Sequence, residues 1–265
     1  MVTEGLLPWY AANRRDLPWR KSREPYAVWV SEIMLQQTRV EAVIPYYRRF
    51  MQALPDVRAL ADAPEEQLLK LWEGLGYYSR VRNMQAAAGQ IVKWGGFPQT
   101  AEELKKLKGF GDYTAGAVAS IAFAQRAAAV DGNVLRVWTR MERVGESIKI
   151  PSVKRACTRA VLEAMPEEAD PGQYNQALME LGATVCTPRS PDCAHCPVQA
   201  HCGAFAADEA EDYPVKDPKP VKAVEEFDVY LIVKDGRALV RKRPKSGLLA
   251  GLWEFPHGKL PVRVK

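Results

Sequence analysis

The chain has 265 residues, 47% of them hydrophobic and 26% charged, with a formal charge of +5 and a pI near 8.9. This composition excludes a disordered chain and gives length for one large domain or two modest ones. The mild positive excess favours an anionic partner only where lysines and arginines cluster. Hydrophobic spacing predicts helices over 26–38, 40–53, 64–73, 79–93, 100–106, 113–125, 133–144, 151–164 and 172–184. Prolines at 25, 45, 55, 64, 98, 151, 166 and 171 are expected to punctuate them. In 131–144, Val134, Val137, Trp138, Met141 and Val144 share a face, while Arg136, Arg140 and Arg143 point elsewhere. Residues 206–223 are charged and proline-rich, as a linker is. Beyond them Phe227, Val229, Leu231 and Val233 alternate with other residues, and Asp235-Gly236 is a hairpin turn before 238–240. The expected class is therefore mainly α, with a linker and an incomplete β-rich C-terminal segment over 224–265, too short to bury its own core.

The first twenty residues lack a continuous apolar core, and the longest apolar run, 115–124, is too short to span a bilayer. A soluble, cytoplasmic protein is the expectation. Five cysteines is an odd number, and four of them fall within seventeen residues. In a reducing compartment that clustering points to a metal centre rather than disulfides.

Four motifs carry chemistry. Glu32, in YAVWVSEIMLQQT, shares a helical face with Val28 and Leu35. On an apolar stripe it would lose hydration and become a general acid near neutral pH; turned outward it is an ordinary helix glutamate. The run LKGFGDYT opens a helix, and Gly109 and Gly111 allow positive φ or close approach. That is either a tight interhelical turn or a hairpin whose free N–H groups take a phosphate beside Lys105, Lys106 and Lys108. Asp131, in AVDGNVLRV, suits a helix N-cap. Cys186, Cys193, Cys196 and Cys202 have the spacing C-x6-C-x2-C-x5-C, which fits zinc or an iron–sulfur cluster. Cys157, on a helix, reads as a small buried side chain.

The pattern L-x-G-x-G-x-x-T-A, with a carboxylate eighteen residues after Tyr113, resembles the endonuclease III superfamily of helix–hairpin–helix DNA glycosylases. The order of the cysteine gaps resembles its [4Fe-4S] loop. Within that superfamily RRDLPWR, VWVSEIMLQQTRVEAVIPYY, WEGLGYYSRVRN, AVDGNVLRV, NQALMELGATVC and GLLAGLWEFP resemble the MutY family of adenine glycosylases, over nearly the whole chain.

The resemblance implies a two-lobed fold. A six-helix lobe would span about 22–130. An iron–sulfur lobe would be built from 1–21 and 131–205, completing a catalytic region over 1–205. It implies that Glu32 protonates a departing adenine, that Asp131 stabilises the sugar cation, and that Asn133 helps hold this arrangement. Bifunctional members carry a lysine at the place of Tyr113, and a phenol cannot form a Schiff base, so hydrolysis without strand cleavage is expected. Gln37, Thr38 and Leu75 would meet 8-oxoguanine and its surroundings. Tyr77 would wedge into the stack, and Arg15, Leu17, Trp19, Arg20 and Gln176 would line the adenine pocket. The implied cofactor is a [4Fe-4S] cluster, the partner double-stranded DNA with A·8-oxoguanine or A·G mispairs, and the state a monomer. The tail resembles only the opening of a Nudix-like domain. The Nudix box is absent and PVRVK does not continue the family pattern, so nucleotide hydrolysis is not expected.

Overall fold

Nine consecutive residues, Tyr26 to Met34, are buried, so α2 (Pro25–Met34) runs through the middle of a helical core with no face left to solvent. The computed structural model describes residues 3–215, 224, 226–244 and 247–259. The readings that fall on 216–223 and 260–265 lie outside the described residues. Met1–Asp217 form one compact unit and Pro218–Lys265 a second.

The first unit is helical, as the sequence predicts. Around α2 lie α3 (Val40–Ala53), α4 (Val57–Asp62), α5 (Glu65–Trp72), α6 (Ser79–Trp94), α7 (Ala101–Leu104) and α8 (Asp112–Phe123). Their apolar faces make one core that includes Trp29, Phe50, Trp72, Met84, Phe110 and Val118. A second core joins α1 (Leu6–Asn13), α9 (Gly132–Glu142), α10 (Pro151–Ala164) and α11 (Pro171–Thr184). The N-terminal stretch divides between them. Leu6 and Tyr10 enter the second core, Leu17 and Trp19 the first. Met179 of α11 packs against both. A short helix, α12 (Gly203–Ala206), follows the cysteine loop.

Local chemistry explains the boundaries. Side chains of Asp56, Thr100, Asp131 and Asp170 accept from the backbone N–H three residues on, and each starts a helix. Gly95 ends α6 in the left-handed region, at φ 82°. Three expectations need correction. The helix foreseen over 26–38 stops at Met34, because Gln37 sits at φ 62° and the turn folds back. Pro45 does not break a helix; it lies inside α3, where one missing N–H is tolerated. Helices α1 and α4 were not foreseen: α1 carries Pro8 and little amphipathic period, and α4 is under two turns long.

In the second unit, β1 (Phe227–Val229) pairs with β6 (His257–Lys259), β2 (Val233–Lys234) with β3 (Arg237–Ala238), and β4 (Arg241–Lys242) with β5 (Trp253–Glu254), all antiparallel. Asp235 and Gly236 both take positive φ, 50° and 71°, the hairpin turn the sequence called for. Alternation over 227–233 does not give one strand, since 230–232 interrupts it. Val229, Tyr230, Leu231, Ile232 and Trp253 are exposed, so these ribbons bury little apolar surface.

Candidate active site

Glu32 is 6% exposed, at the inner face of α2 toward α8. Tyr113, one residue into α8, donates its phenolic O–H to Glu32 Oε2 and reaches Met179 Sδ at 3.5 Å. Burial pushes the Glu32 carboxyl up to about 7; the Tyr113 hydrogen bond opposes it, the Asp131 charge adds to it and Arg20 lowers it. Burial and the same two carboxylates hold the Tyr113 phenol well above its ordinary value. Residues 32, 113 and 131 therefore share one electrostatic environment at the meeting of the two cores.

Asp131 is the N-cap of α9 and more. Its Oδ1 accepts from Val134 N at 2.8 Å, and its Oδ2 from Asn133 Nδ2 at 2.8 Å. Burial raises its pKa, against these hydrogen bonds. The chain of contacts continues outward. Asn133 Oδ1 accepts from Arg136 Nη2 at 2.8 Å, and Arg136 Nε donates to the Cys186 carbonyl at 2.7 Å. A glycine is required where this row crosses α11, because a Cβ on Gly182 would stand 2.6 Å from Asn133 Cβ.

Arg15 and Arg20 are not a solvated pair. Arg15 Nε and Nη2 grip Glu180 at 2.8 and 2.9 Å, and Arg20 Nη2 reaches Glu180 Oε2 at 2.7 Å. The Glu180 side chain is 1% exposed. Burial alone would raise its pKa, but the hydrogen bonds from both arginines outweigh that and bring it to about 2. Gln176, one turn earlier on α11, accepts from the Tyr10 hydroxyl at 3.4 Å. Leu17 and Trp19 are core residues, with Trp19 edge-on to Tyr47 at 5.4 Å. Glu180 escaped the sequence reading; its position four residues after Gln176, on the same helical face, was the available signal.

Gln37 is exposed and Thr38 half-buried, in the turn after α2. Leu75 is buried, whereas Tyr77 is 66% exposed with φ 46°. In the hairpin, Gly109 has φ 81° and a Cβ there would lie 2.8 Å from Asn83 Cβ. Gly111 needs correction: its φ is −94° and nothing crowds it, so it needs neither positive φ nor close approach. It is the N-cap of α8 and carries no side chain to occupy the first N–H groups. Lys105 is engaged by Asp112 at 2.8 Å.

Cys186, Cys193, Cys196 and Cys202 lie on the loop between α11 and α12. Burial and the other thiols raise Cys193, and bring Cys196 to about 11. Fully buried Arg140 donates to Cys186 Sγ at 3.2 Å and to the Thr187 carbonyl at 2.7 Å. Crowded thiols beside a fixed cation suit a bound metal centre that keeps sulfur ionised. Among the described residues no group of three His, Cys, Asp or Glu closes on a single ion. His195 pairs with Asp192 at 2.9 Å. A cleft of about 470 Å³ lined by Trp94, Phe97, Glu103 and Lys106 involves none of these residues. Among the described residues no helix is long and apolar enough to cross a membrane.

Residues 30–162 match the HhH-GPD superfamily of base excision DNA repair proteins, and residues 186–202 the iron–sulfur binding domain of endonuclease III. The chain is 42% identical to the adenine DNA glycosylase of Arabidopsis thaliana, over 96% of this chain and 47% of that one. It is 35% identical to that of Schizosaccharomyces pombe, over 96% of this chain and 68% of the other. The chain thus spans about half to two thirds of these relatives' lengths. Among solved structures, a thermostable thymine-DNA glycosylase superposes with a TM-score of 0.69 at 26% identity, covering 77% of this chain and 95% of that chain.

Proposed function

Since the chain belongs to the HhH-GPD superfamily of base excision DNA repair proteins, and within it to the adenine DNA glycosylases, we propose that it hydrolyses the N-glycosidic bond of adenine paired with 8-oxoguanine or guanine in duplex DNA. The observation that carries this reading is the buried Glu32 carboxyl, raised to about 7 and bonded by Tyr113, with Asp131 in the same field. A group that titrates near neutrality can hold a proton and still give it up.

Glu32 transfers its proton to a ring nitrogen of the extruded adenine as the bond to the sugar breaks. The electron pair of that bond leaves with the base. The sugar becomes oxocarbenium-like, and the Asp131 carboxylate offsets its positive charge. Water adds its oxygen to the sugar carbon and loses a proton to a carboxylate, leaving an abasic site. The hydrogen bonds from Val134 N–H and Asn133 favour the ionised form of Asp131 against its burial, and they aim the carboxylate. Tyr113 supplies no amine, so no Schiff base forms and the strand stays whole.

The other roles are those the resemblance to the adenine glycosylases implies. Tyr77 wedges into the stack, and Gln37, Thr38 and Leu75 meet the opposite base. The Glu180–Arg15–Arg20 cluster, with Leu17, Trp19 and Gln176, walls the adenine pocket. Gly109 and Gly111 present hairpin N–H groups to a phosphate. The four cysteines would hold the [4Fe-4S] cluster, which when bound neutralises their thiolates and cross-links the loop. The second unit is Nudix-like and assists recognition of 8-oxoguanine. The protein acts as a monomer in the cytoplasm, at the nucleoid.

Cluster-loaded protein should release adenine from an A·8-oxoguanine duplex, more slowly from A·C, and Glu32→Gln should not. Borohydride should trap no wild-type complex. Efficient trapping, or equal release by Glu32→Gln, overturns the reading.

A further inference from the structure

Arg80, near the start of α6, lies outside the acid–base apparatus, yet its guanidinium joins two turns that do not touch in sequence. Nη1 donates to the carbonyls of Ile33 at 2.8 Å and Gln36 at 2.6 Å. Nη2 donates to those of Leu75 at 2.8 Å and Gly76 at 3.3 Å. The first pair lies where α2 ends, just after Glu32; the second immediately precedes Tyr77. The guanidinium carbon sits 5.4 Å from the Trp72 ring centre and 5.7 Å from that of Tyr77. Trp72 Nε1 also donates to the Gly76 carbonyl, at 3.0 Å.

Each turn holds a non-glycine residue in the left-handed region, Gln37 at φ 62° and Tyr77 at φ 46°. Such backbone is disfavoured and persists only where its surroundings fix it. The terminal carbonyls of a helix also need donors from outside it. One planar fork satisfies both turns at once and ties them together. A lysine, with a compact ammonium, cannot span four carbonyls in that fixed geometry.

We propose that Arg80 is a positioning residue that couples the Gln37 turn to the Tyr77 loop, so that the wedge enters the stack at a fixed distance from the contact with the opposite base. Arg80 thereby governs the opening of the duplex rather than the breaking of the bond. This rests on the reading that Gln37 and Tyr77 face DNA. Because it concerns opening, it is measured separately from adenine release.

The test uses the full chain with its iron–sulfur cluster, as wild type, Arg80→Lys, Arg80→Gln, Tyr77→Ala and the Arg80→Lys/Tyr77→Ala pair. Unstacking is read from the fluorescence of 2-aminopurine in place of the target adenine, and chemistry from single-turnover adenine release. Arg80→Lys should lower both signals by roughly tenfold to a hundredfold, the scale of losing a fixed alignment. It should fold cooperatively, with a melting temperature lowered by only a few degrees, and the pH profile of release should stay that of wild type. In the Tyr77→Ala background the same change should cost less than about twofold, since the two residues act as one unit. A wild-type fluorescence response from Arg80→Lys overturns the assignment, and so do losses that multiply in the double variant. Loss of folding by both Arg80 variants would assign the residue to stability alone. A wild-type chain that unstacks 2-aminopurine but releases no adenine would sink the proposed activity, leaving Arg80 to be judged on fluorescence.

Discussion

The phenol of Tyr113 donates to Glu32 across 81 residues of chain, and it opposes the effect of burial on that carboxyl. The bond favours the ionised acid, whereas burial favours the neutral one, and the balance falls at about 7. Release of adenine should therefore be fastest below that pH and fall about tenfold per pH unit above it, because only the protonated acid can donate. Tyr113→Phe removes the bond and should move the descending limb to higher pH. Single-turnover rates from about pH 5 to 9 measure this. A limb that stays in place, or moves down, contradicts the account.

Glu32 also makes folding depend on pH, with the opposite sign to most carboxylates. Its folded value of about 7 exceeds the ordinary 4.5, so between those two values the native state binds the extra proton. Stability should fall as pH rises through this window, by roughly 3 kcal/mol in all, and be flat on either side. Glu32→Gln should be more stable than wild type at pH 7 and about equal below 4.5. Urea denaturation at pH 4.5, 6 and 7.5 tests it, and a constant difference between the proteins would count against burial as the cause.

Much of this arrangement is legible in the sequence. Glu32 sits in a run of Tyr, Ala, Val, Trp and Met that suits an interior helix, although the residues alone fit an outward-facing glutamate as well, and Asp131 precedes a strongly amphipathic helix that needed a cap. The four cysteines were readable from spacing. What stayed hidden depends on side chains meeting from distant elements. Glu180 looks like any helical glutamate until Arg15 and Arg20, some 160 residues earlier, close on it. Arg80 bonds only carbonyls, which every residue has, so no pairing of residue types betrays it. Gly111 shows the reverse error, where a glycine in a motif suggested a backbone need that the turn does not have.

Glu180 is the inverse of Glu32. Its pKa is pulled to about 2, so its contribution is complete above 4.5 and lost as pH falls toward 2. Glu180→Ala leaves two cations without their partner at a nearly dry site, and should cost roughly 3 kcal/mol or more. Glu180→Gln, which keeps some hydrogen bonds, should cost less. Chemical denaturation at neutral pH should rank them wild type, Gln, Ala. Equal stability of Ala and wild type would mean the ion cluster is held by its surroundings and contributes nothing net.

The cysteines should separate into two kinds. Cys157 is fully buried in the second core and its thiol is pushed up to about 12, so it should resist alkylation in the native protein. Cys196→Ser should lose bound iron and sulfide, and with them the broad visible absorption. Cys157→Ala should keep all three. Iron retained at wild-type level in Cys196→Ser would remove that thiol from the ligand set.

The last prediction concerns a residue with no side chain. In Gly182→Ala the new methyl would lie 2.6 Å from Asn133 Cβ and 3.1 Å from its Cα and C, closer than such atoms come. Asn133 belongs to the first turn of α9 and cannot swing aside, so the helix start must shift, taking with it the amide that holds Asp131 Oδ2. Overpacking of this kind costs roughly 1–3 kcal/mol. The larger effect should be on chemistry, up to about a hundredfold in adenine release, because the proposed mechanism needs Asp131 close under the sugar. Gly89, inside α6 with open space around it, is the control. Gly89→Ala should stabilise by about 0.5–1 kcal/mol and leave the rate alone. Denaturation and single-turnover kinetics on both variants decide the matter. If Gly182→Ala lowered stability while leaving the rate intact, Asp131 would not depend on the Asn133 contact for its aim.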